Sequence, residues 1–202
     1  MKVLYCFVLL SCFYIKTQAQ SQSLVLTESP VTLVSTDGVL EKEEWLGAKT
    51  LTLKGVSGHE VSVLVKYDAD NLYVAFKNLK DAQNINFNAE VLIHTQMDDL
   101  HWNDHCYWFH ASYGNCAATG QYYDWEGCTS YPDGWAANTF PFTDGNSTME
   151  FKISFSKLNM VPLKGQRLKM AFKISDPLEQ HAYWPEVANI ANPDTWGTLT
   201  FN

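Results

Sequence analysis

Apolar and polar residues alternate with a period of two in many short segments of the chain. The clearest of these segments are residues 61–67, 72–76, 87–94, 107–112, 149–155, 168–174 and 198–201. Such alternation is typical of β-strands that bury one face and expose the other. Helical periodicity is nearly absent, and only residues 40–45 are expected to form one short turn. The pattern predicts one all-β domain, an antiparallel β-sandwich of jelly-roll-like form.

The connections between these segments differ in character along the chain. Asp68-Ala69-Asp70-Asn71 separates the segments 61–67 and 72–76 and is a turn sequence, so these two segments are expected to form a hairpin. In contrast, residues 114–142 show little strand patterning. We therefore expect this stretch to consist mainly of loops.

The N-terminus has the features of a secretory signal peptide. Lys2 supplies a positive charge, residues 3–15 form an apolar run, and Thr17-Gln18-Ala19 places small residues at a cleavage site. We assign residues 1–19 to the signal and 20–202 to the folded domain, which is expected to be secreted, periplasmic or held at the cell surface. Lipid attachment at Cys12 is the alternative to plain cleavage. No other apolar stretch approaches the length of a membrane span.

Three cysteines remain after the predicted signal. Cys116 and Cys128 bracket a glycine-containing stretch, and export supplies an oxidising compartment, so a Cys116–Cys128 disulfide is expected. Cys106 lies in an alternating segment and is interpreted as a buried thiol. A zinc site is the competing reading, but the chain has no CxxC pair to support it.

The charge of the chain argues against nucleic acid as a partner. The formal net charge is −8, and Arg167 is the only arginine among 14 basic residues. Recognition of phosphates and base edges depends on arginine and on a basic face. A chain with one arginine and a net negative charge is poorly suited to such recognition.

The middle of the chain has an unusual composition. Residues 81–151 contain ten acidic residues and no Lys or Arg, and residues 101–135 contain ten aromatic residues. Four of the six histidines, His94, His101, His105 and His110, lie in or just ahead of the aromatic stretch. Aromatic rings can pack on the C–H face of a pyranose while carboxylates, amides and imidazoles bond its hydroxyls. This composition suits a neutral polyhydroxylated ligand, although packing within the core would also account for many of the rings.

Four segments resemble, in order and spacing, the motifs of family 9 carbohydrate-binding modules and their DOMON-like relatives. They are residues 37–45 (DGVLEKEEW), 67–76 (YDADNLYVAF), 89–93 (AEVLI) and 192–201 (NPDTWGTLTF). The resemblance runs from about residue 35 to the end of the chain. It implies a non-catalytic β-sandwich that binds sugars, commonly contains calcium, and serves as an accessory to a glycoside hydrolase or to surface glycan utilisation.

The same resemblance implies roles for particular residues. Glu90 matches a strand glutamate that bonds sugar hydroxyls, and His110 falls where a polar strand residue lines the same pocket. Trp45 and Trp196 belong to the fold motifs and are expected in the core. The family clamps sugar between two tryptophans, but this chain has Asn84-Ile85 and Ile190-Ala191 at those places. The candidates to replace them as sugar-binding rings are Trp125, Trp135, Trp102 and Trp184.

Three other functions compete with sugar binding. A metal-dependent hydrolase would use the group formed by Asp98, Asp99, Asp104, His101 and His105. No GxSxG, HExxH or phosphate-binding glycine loop is present. Some DOMON-like relatives bind haem through Met and His, so Met97 beside the histidines makes electron transfer a further alternative. A structural surface module is the last. The accessory sugar-binding domain is the favoured interpretation.

Overall fold

A computed structural model describes most of the chain. The described residues are 22–30, 34–55, 58–79, 87–99, 101–112, 116–121, 124–125, 134–139, 147–175 and 180–202. For Cys116, Gln121, Asp124 and Trp125 the description covers the backbone alone. The predicted signal peptide and Cys128 lie outside the described residues, so the Cys116–Cys128 disulfide stays a prediction. Within the described part, no helix is long and apolar enough to cross a membrane.

Two facing β-sheets make up the structure, as the sequence predicted. The eight-stranded sheet contains β1 (Ser23–Leu26), β5 (Asn88–His94), β6 (Cys106–Ser112), β7 (Cys116–Gln121), β8 (Asp124–Trp125), β11 (Arg167–Ser175), β12 (His181–Trp184) and β13 (Gly197–Phe201). The five-stranded sheet contains β2 (Lys49–Lys54), β3 (Glu60–Tyr67), β4 (Asn71–Lys77), β9 (Trp135–Thr139) and β10 (Thr148–Ser154). A short 3₁₀ turn at Pro193–Thr195 precedes β13.

The strand order explains which segments lie side by side. The larger sheet runs β1-β13-β11-β5-β6-β7-β8, and β12 also pairs with β11. The smaller sheet runs β2-β3-β4-β10-β9. All described pairs are antiparallel except β1 with β13, which is parallel. The arrangement is an antiparallel sandwich with one parallel pair at an edge.

The period of two decides which side chains fill the space between the sheets. On β5, Ala89, Val91 and Ile93 belong to the main core cluster, which draws buried residues from both sheets. Their neighbours Glu90 and Leu92 therefore face away from the other sheet. One shared core of this kind defines a single domain. It also creates a second, outward face on the larger sheet that is available for other chemistry.

The sequence prediction was right for the clearly alternating segments and wrong for part of the middle. All seven alternating segments are strands, and the predicted hairpin is present, with Tyr67 opposite Leu72. The stretch 114–142, expected to be mainly loop, contains β7, β8 and β9. β7 escapes notice because its sequence, CAATGQ, carries small residues where alternation is usually read from large apolar ones.

Residues 37–45 (DGVLEKEEW) pack on the outer face of the smaller sheet. Glu150 on β10 is 1% exposed and accepts hydrogen bonds from the backbone N–H groups of Gly38 (2.8 Å) and Asp37 (3.2 Å) and from the indole Nε1 of Trp45 (2.9 Å). The expected short turn is present, closed by the Trp45 N–H donating to the Glu41 carbonyl at 3.2 Å. Trp45 is buried, as predicted. The motif therefore fastens the N-terminal segment to the sheet.

Cys106 is a buried thiol, as the sequence indicated. Its side chain is fully buried, and it is unpaired among the described cysteines. Burial raises the pKa of the thiol to about 11. A thiol with so high a pKa is protonated at neutral pH and is a poor nucleophile.

Candidate functional site

Four polar side chains form a row across the outer face of the larger sheet. Tyr183 on β12 is opposite Lys173 on β11, Lys173 is opposite Glu90 on β5, and Glu90 is opposite His110 on β6. Directly opposite residues in an antiparallel pair project to the same face. The structure thus brings together Glu90 and His110, the two strand residues that the sequence analysis selected.

Glu90 is the centre of this row. The residue is 2% exposed. Its Oε1 accepts hydrogen bonds from Lys173 Nζ at 2.8 Å and from Ser175 Oγ at 3.4 Å, and its Oε2 accepts one from Trp108 Nε1 at 2.5 Å. His110 Nδ1 lies 3.6 Å from Oε1. A buried carboxylate is tolerated only with such partners.

These contacts fix the charge of Glu90. Burial on its own would raise the pKa of the carboxyl group, but the contact with His110 and the positive charge of Lys173 together hold its pKa below the ordinary value. Glu90 is therefore ionised and paired with a buried ammonium group. Burial, together with the negative charge of Glu90, raises the pKa of Tyr183, so its phenol keeps its proton and can donate a hydrogen bond.

Aromatic rings border the polar row on one side. In the adjacent row Ala171 is opposite Leu92, and Leu92 is opposite Trp108. Trp108 and Trp102 pack edge to face with 6.4 Å between ring centroids, and Trp102 makes a similar contact with Trp196 at 5.8 Å. We call Trp102, Trp108 and Trp196 the outer-face aromatic cluster. Trp102 and Trp108 are half-buried, so parts of both rings are at the surface.

The four tryptophans proposed as sugar-binding rings have different positions. Trp102 lies in the outer-face aromatic cluster, beside the polar row. Trp184 and Trp135 differ from expectation, because both are members of the core between the sheets, 6% and 5% exposed. Trp125 is opposite Gly120, which is opposite Trp108, so its backbone continues the row of the cluster. The side chain of Trp125 lies outside what the structure describes.

Three residues at the site were missed by sequence reasoning. Trp108 lies two residues before His110 and therefore shares its face of β6, a signal that was present in the period-two pattern. Lys173 and Tyr183 depend on the pairing of β11 with β5 and β12. Strand order across a sheet is not visible in one sequence, so no comparable signal existed for these two.

Trp196 and Lys169 hold the edge of this face in place. Trp196 is fully buried, as the motif predicted, and its Nε1 donates to the carbonyl of Asn189 at 2.8 Å. Lys169 donates from Nζ to the carbonyls of Asp194 and Trp196, each at 3.3 Å. The turn before β13 is thereby fastened to β11.

The histidines considered for metal or haem chemistry bond to other parts of the protein. His94 is fully buried; its Nδ1 accepts from the N–H of Gln96 at 3.1 Å, so Nε2 carries the proton and donates to the His101 carbonyl at 3.2 Å. His101 is exposed and contacts Asp99 at 2.8 Å. No group of three or more His, Cys, Asp or Glu side chains that could hold an ion is found among the described residues. The implied calcium therefore has no such ligand group in this part of the chain.

The fold resembles solved carbohydrate-binding structures. A family 9 carbohydrate-binding module from Caldicellulosiruptor kristjanssonii matches in complex with cellotriose (TM-score 0.65, 14% identity, 90% of this chain and 94% of that chain) and in complex with glucose (TM-score 0.67, 13% identity, 90% and 96%). A candidate carbohydrate-binding protein from Bacteroides uniformis matches with a TM-score of 0.63 and 14% identity, over 91% and 100% of the two chains. The chain thus has the β-sandwich fold of a family 9 carbohydrate-binding module.

Comparisons at the level of sequence add no relative. No protein-family model matches the chain, and no curated protein matches it significantly. With identities of 13–14%, the solved structures define the fold of the chain. A shared fold alone does not define a ligand.

Proposed function

We propose that this chain is a secreted, non-catalytic domain that binds neutral oligo- or polysaccharides on the outer face of its larger sheet. The observation that carries the proposal is the row Tyr183, Lys173, Glu90 and His110 beside the half-buried rings of Trp102 and Trp108. The polar side chains suit the hydroxyl groups of a pyranose, and the aromatic surface suits its C–H face.

The charge of the row favours a neutral ligand. The negative charge of Glu90 and the positive charge of Lys173 offset each other at 2.8 Å. Because the oxygens of Glu90 already accept bonds from Lys173 and Trp108, we assign this carboxylate the task of holding its neighbours in position. His110, with 21% of its side chain exposed, and the Tyr183 hydroxyl are then the groups that bond sugar hydroxyls.

The comparisons support the proposal at the level of fold. Two matching structures are complexes with cellotriose and glucose, which makes these sugars the first ligands to test. An accessory role beside a glycoside hydrolase or a surface glycan-utilisation system, export by residues 1–19, and a structural calcium ion are further parts of the proposal, based on the sequence resemblance.

Calorimetry with neutral sugars tests the proposed site directly. A panel of glucose, mannose, xylose and their β-linked trisaccharides is titrated into the wild-type protein, His110→Ala and Trp108→Ala. Loss of a ring contact or of one hydrogen bond should weaken binding by about three- to tenfold. Lys152→Ala is the control, because Lys152 lies on the outer face of the smaller sheet, and it should bind as the wild type does.

Two results would contradict the proposal. Absence of binding to every sugar in the panel would remove the function itself. Binding that is equal in the wild type, His110→Ala and Trp108→Ala would place the site elsewhere on the molecule. Melting curves of all variants establish that each one is folded.

A further inference from the structure

A cavity lies at the edge of the sandwich, between β12 of the larger sheet and β2 of the smaller sheet, beside the proposed sugar site. Its volume is about 650 Å³, and its walls come from β12, from β2 and from Gly55 and Gly58, which follow β2 in the chain. The residues that matter for its chemistry are Thr52, Lys54, His181, Tyr183 and Glu186. Cavities of about 300–1,000 Å³ are the usual size for binding small organic ligands.

Tyr183 joins this cavity to the polar row. It lines the cavity, and in the sheet it is the residue opposite Lys173. The negative charge of Glu90 acts on its hydroxyl, which places the phenol within the electrostatic reach of the row. A chain of sugar units bound on the outer face could therefore continue past Tyr183 into the cavity.

The walls of the cavity suit a polyhydroxylated ligand. The rings of His181 and Tyr183 pack edge to face with 6.3 Å between centroids and present apolar surface. The hydroxyl of Thr52, the ammonium of Lys54 and the carboxylate of Glu186 offer donors and acceptors of both charges. The contact of Lys54 with Glu60 is 4.0 Å long between side chains that are 77% and 62% exposed, so it costs little to exchange for a ligand contact.

Gly58 leaves room at the cavity wall. Gly58 has a φ of +77°, and a Cβ atom at this position would meet nothing within 4 Å. The Gly58 N–H donates to the Gly55 carbonyl at 2.9 Å. The wall is therefore open at Gly58.

We propose that the cavity is a second subsite for the same glycan, so that the protein recognises an oligosaccharide of several units that runs from the outer face over Tyr183. This inference rests on the proposed function. It makes a separate statement, which is that affinity depends on the length of the sugar chain and that this dependence arises at the edge of the sandwich.

The experiment compares each monosaccharide with its trisaccharide. Glucose with cellotriose, mannose with mannotriose and xylose with xylotriose are titrated into the wild type, Thr52→Trp and His181→Ala. Thr52→Trp fills the cavity from an exposed position, and Thr50→Trp is the matched control on the same strand and face, outside the cavity lining. His181→Ala removes a cavity ring without adding bulk.

The expected result is tighter binding of one trisaccharide than of its monosaccharide by the wild type. Thr52→Trp and His181→Ala should each reduce that difference by about three- to tenfold and leave monosaccharide binding unchanged. The control Thr50→Trp should bind both the monosaccharide and the trisaccharide as the wild type does. Equal affinity for monosaccharide and trisaccharide, or a difference that survives both cavity variants, would overturn the second subsite while the outer-face site stands. Failure of every sugar to bind would overturn the proposed function, and the second subsite with it.

Discussion

At the scale of single residues, Glu90 and Glu150 are both buried on outer faces of the sandwich, but their pKa values shift in opposite directions. Glu90 has a buried cation within 2.8 Å and is held in its charged form. Glu150 is surrounded by N–H donors, with the negative charges of Asp37 and Glu44 nearby, and burial raises its pKa. Both carboxyl groups are buried and hydrogen-bonded, so the difference comes from their neighbours: His110 and the Lys173 cation lower the pKa of Glu90, whereas the charged neighbours of Glu150 are acidic.

The pair formed by Glu90 and Lys173 predicts strong coupling between two substitutions. Lys173→Met leaves a carboxylate that is 2% exposed without its cation, and we expect a loss of about 3–5 kcal/mol in the free energy of unfolding. Glu90→Gln together with Lys173→Met removes both charges and should recover a large part of that loss. Urea denaturation of the two single variants and the double variant measures the coupling. Additive losses would show that the pair does not act as a unit.

At the scale of elements, the sequence could predict strands but not their neighbours. β5, β6, β10 and β11 are long and alternate clearly, and each was predicted because one face is buried in the shared core. The two-residue β8 and the short β12 contain too few positions for a periodic signal. Because the row of Glu90 depends on β11 lying between β12 and β5, its members Lys173 and Tyr183 could not be identified before the sheet order was known.

The tryptophans also show a limit of prediction from the sequence, because composition does not reveal which face of a sheet a ring occupies. Composition indicated correctly that aromatic rings gather in the middle of the chain, but not which face each ring takes. Trp135 is opposite Ile153 on β10 and shares its inward face, where it packs against Phe109 with 5.2 Å between centroids. Trp108 and Trp102 face outward. A ring next to a turn sequence can take either face, and register decides which.

The glycine of the C-terminal motif provides a prediction about packing between elements. A Cβ atom on Gly197 would lie 2.6 Å from Cη2 of Trp184 and 3.0 Å from the carbonyl oxygen of Gln22. Gly197→Ala should therefore displace Trp184 or β1 and lower the free energy of unfolding by about 1–3 kcal/mol. Thermal or urea denaturation checks this, with the partly exposed Thr198→Ala as the control on the same strand. A variant as stable as the wild type would mean that the tryptophan ring moves aside without cost.

At the scale of the whole molecule, the two outer faces of the sandwich differ in structure, and only one of them is the proposed binding face. The outer face of the smaller sheet is covered by the N-terminal segment, which Glu150 holds through three hydrogen bonds. The outer face of the larger sheet presents the polar row and the aromatic cluster. Substitutions on the first face should alter stability, whereas substitutions of exposed groups on the second should alter binding.

The raised pKa of Glu150 predicts how the stability of the whole molecule depends on pH. Burial, with the negative charges of Asp37 and Glu44, raises this pKa from 4.5 to about 7. Between these two values the folded state binds more protons at Glu150 than the unfolded state does. The contribution of Glu150 therefore makes the protein less stable as pH rises through this window, by on the order of 3 kcal/mol in total.

Urea denaturation of the wild type and Glu150→Gln at several pH values from 4.5 to 8 measures this contribution. The two proteins are compared by how steeply the free energy of unfolding changes with pH. This comparison is needed because His94, whose pKa is lowered by burial, favours folding as pH rises over part of the same range in both proteins. At acidic pH, Glu150→Gln is expected to be less stable than the wild type. The NH₂ group of the glutamine side chain cannot accept a hydrogen bond, so either the Trp45 N–H or the Gly38 N–H would face another donor. Its free energy of unfolding should nevertheless fall less with rising pH than that of the wild type. Parallel pH profiles would show that Glu150 is already ionised throughout, and that its three donors outweigh the cost of burying its charge.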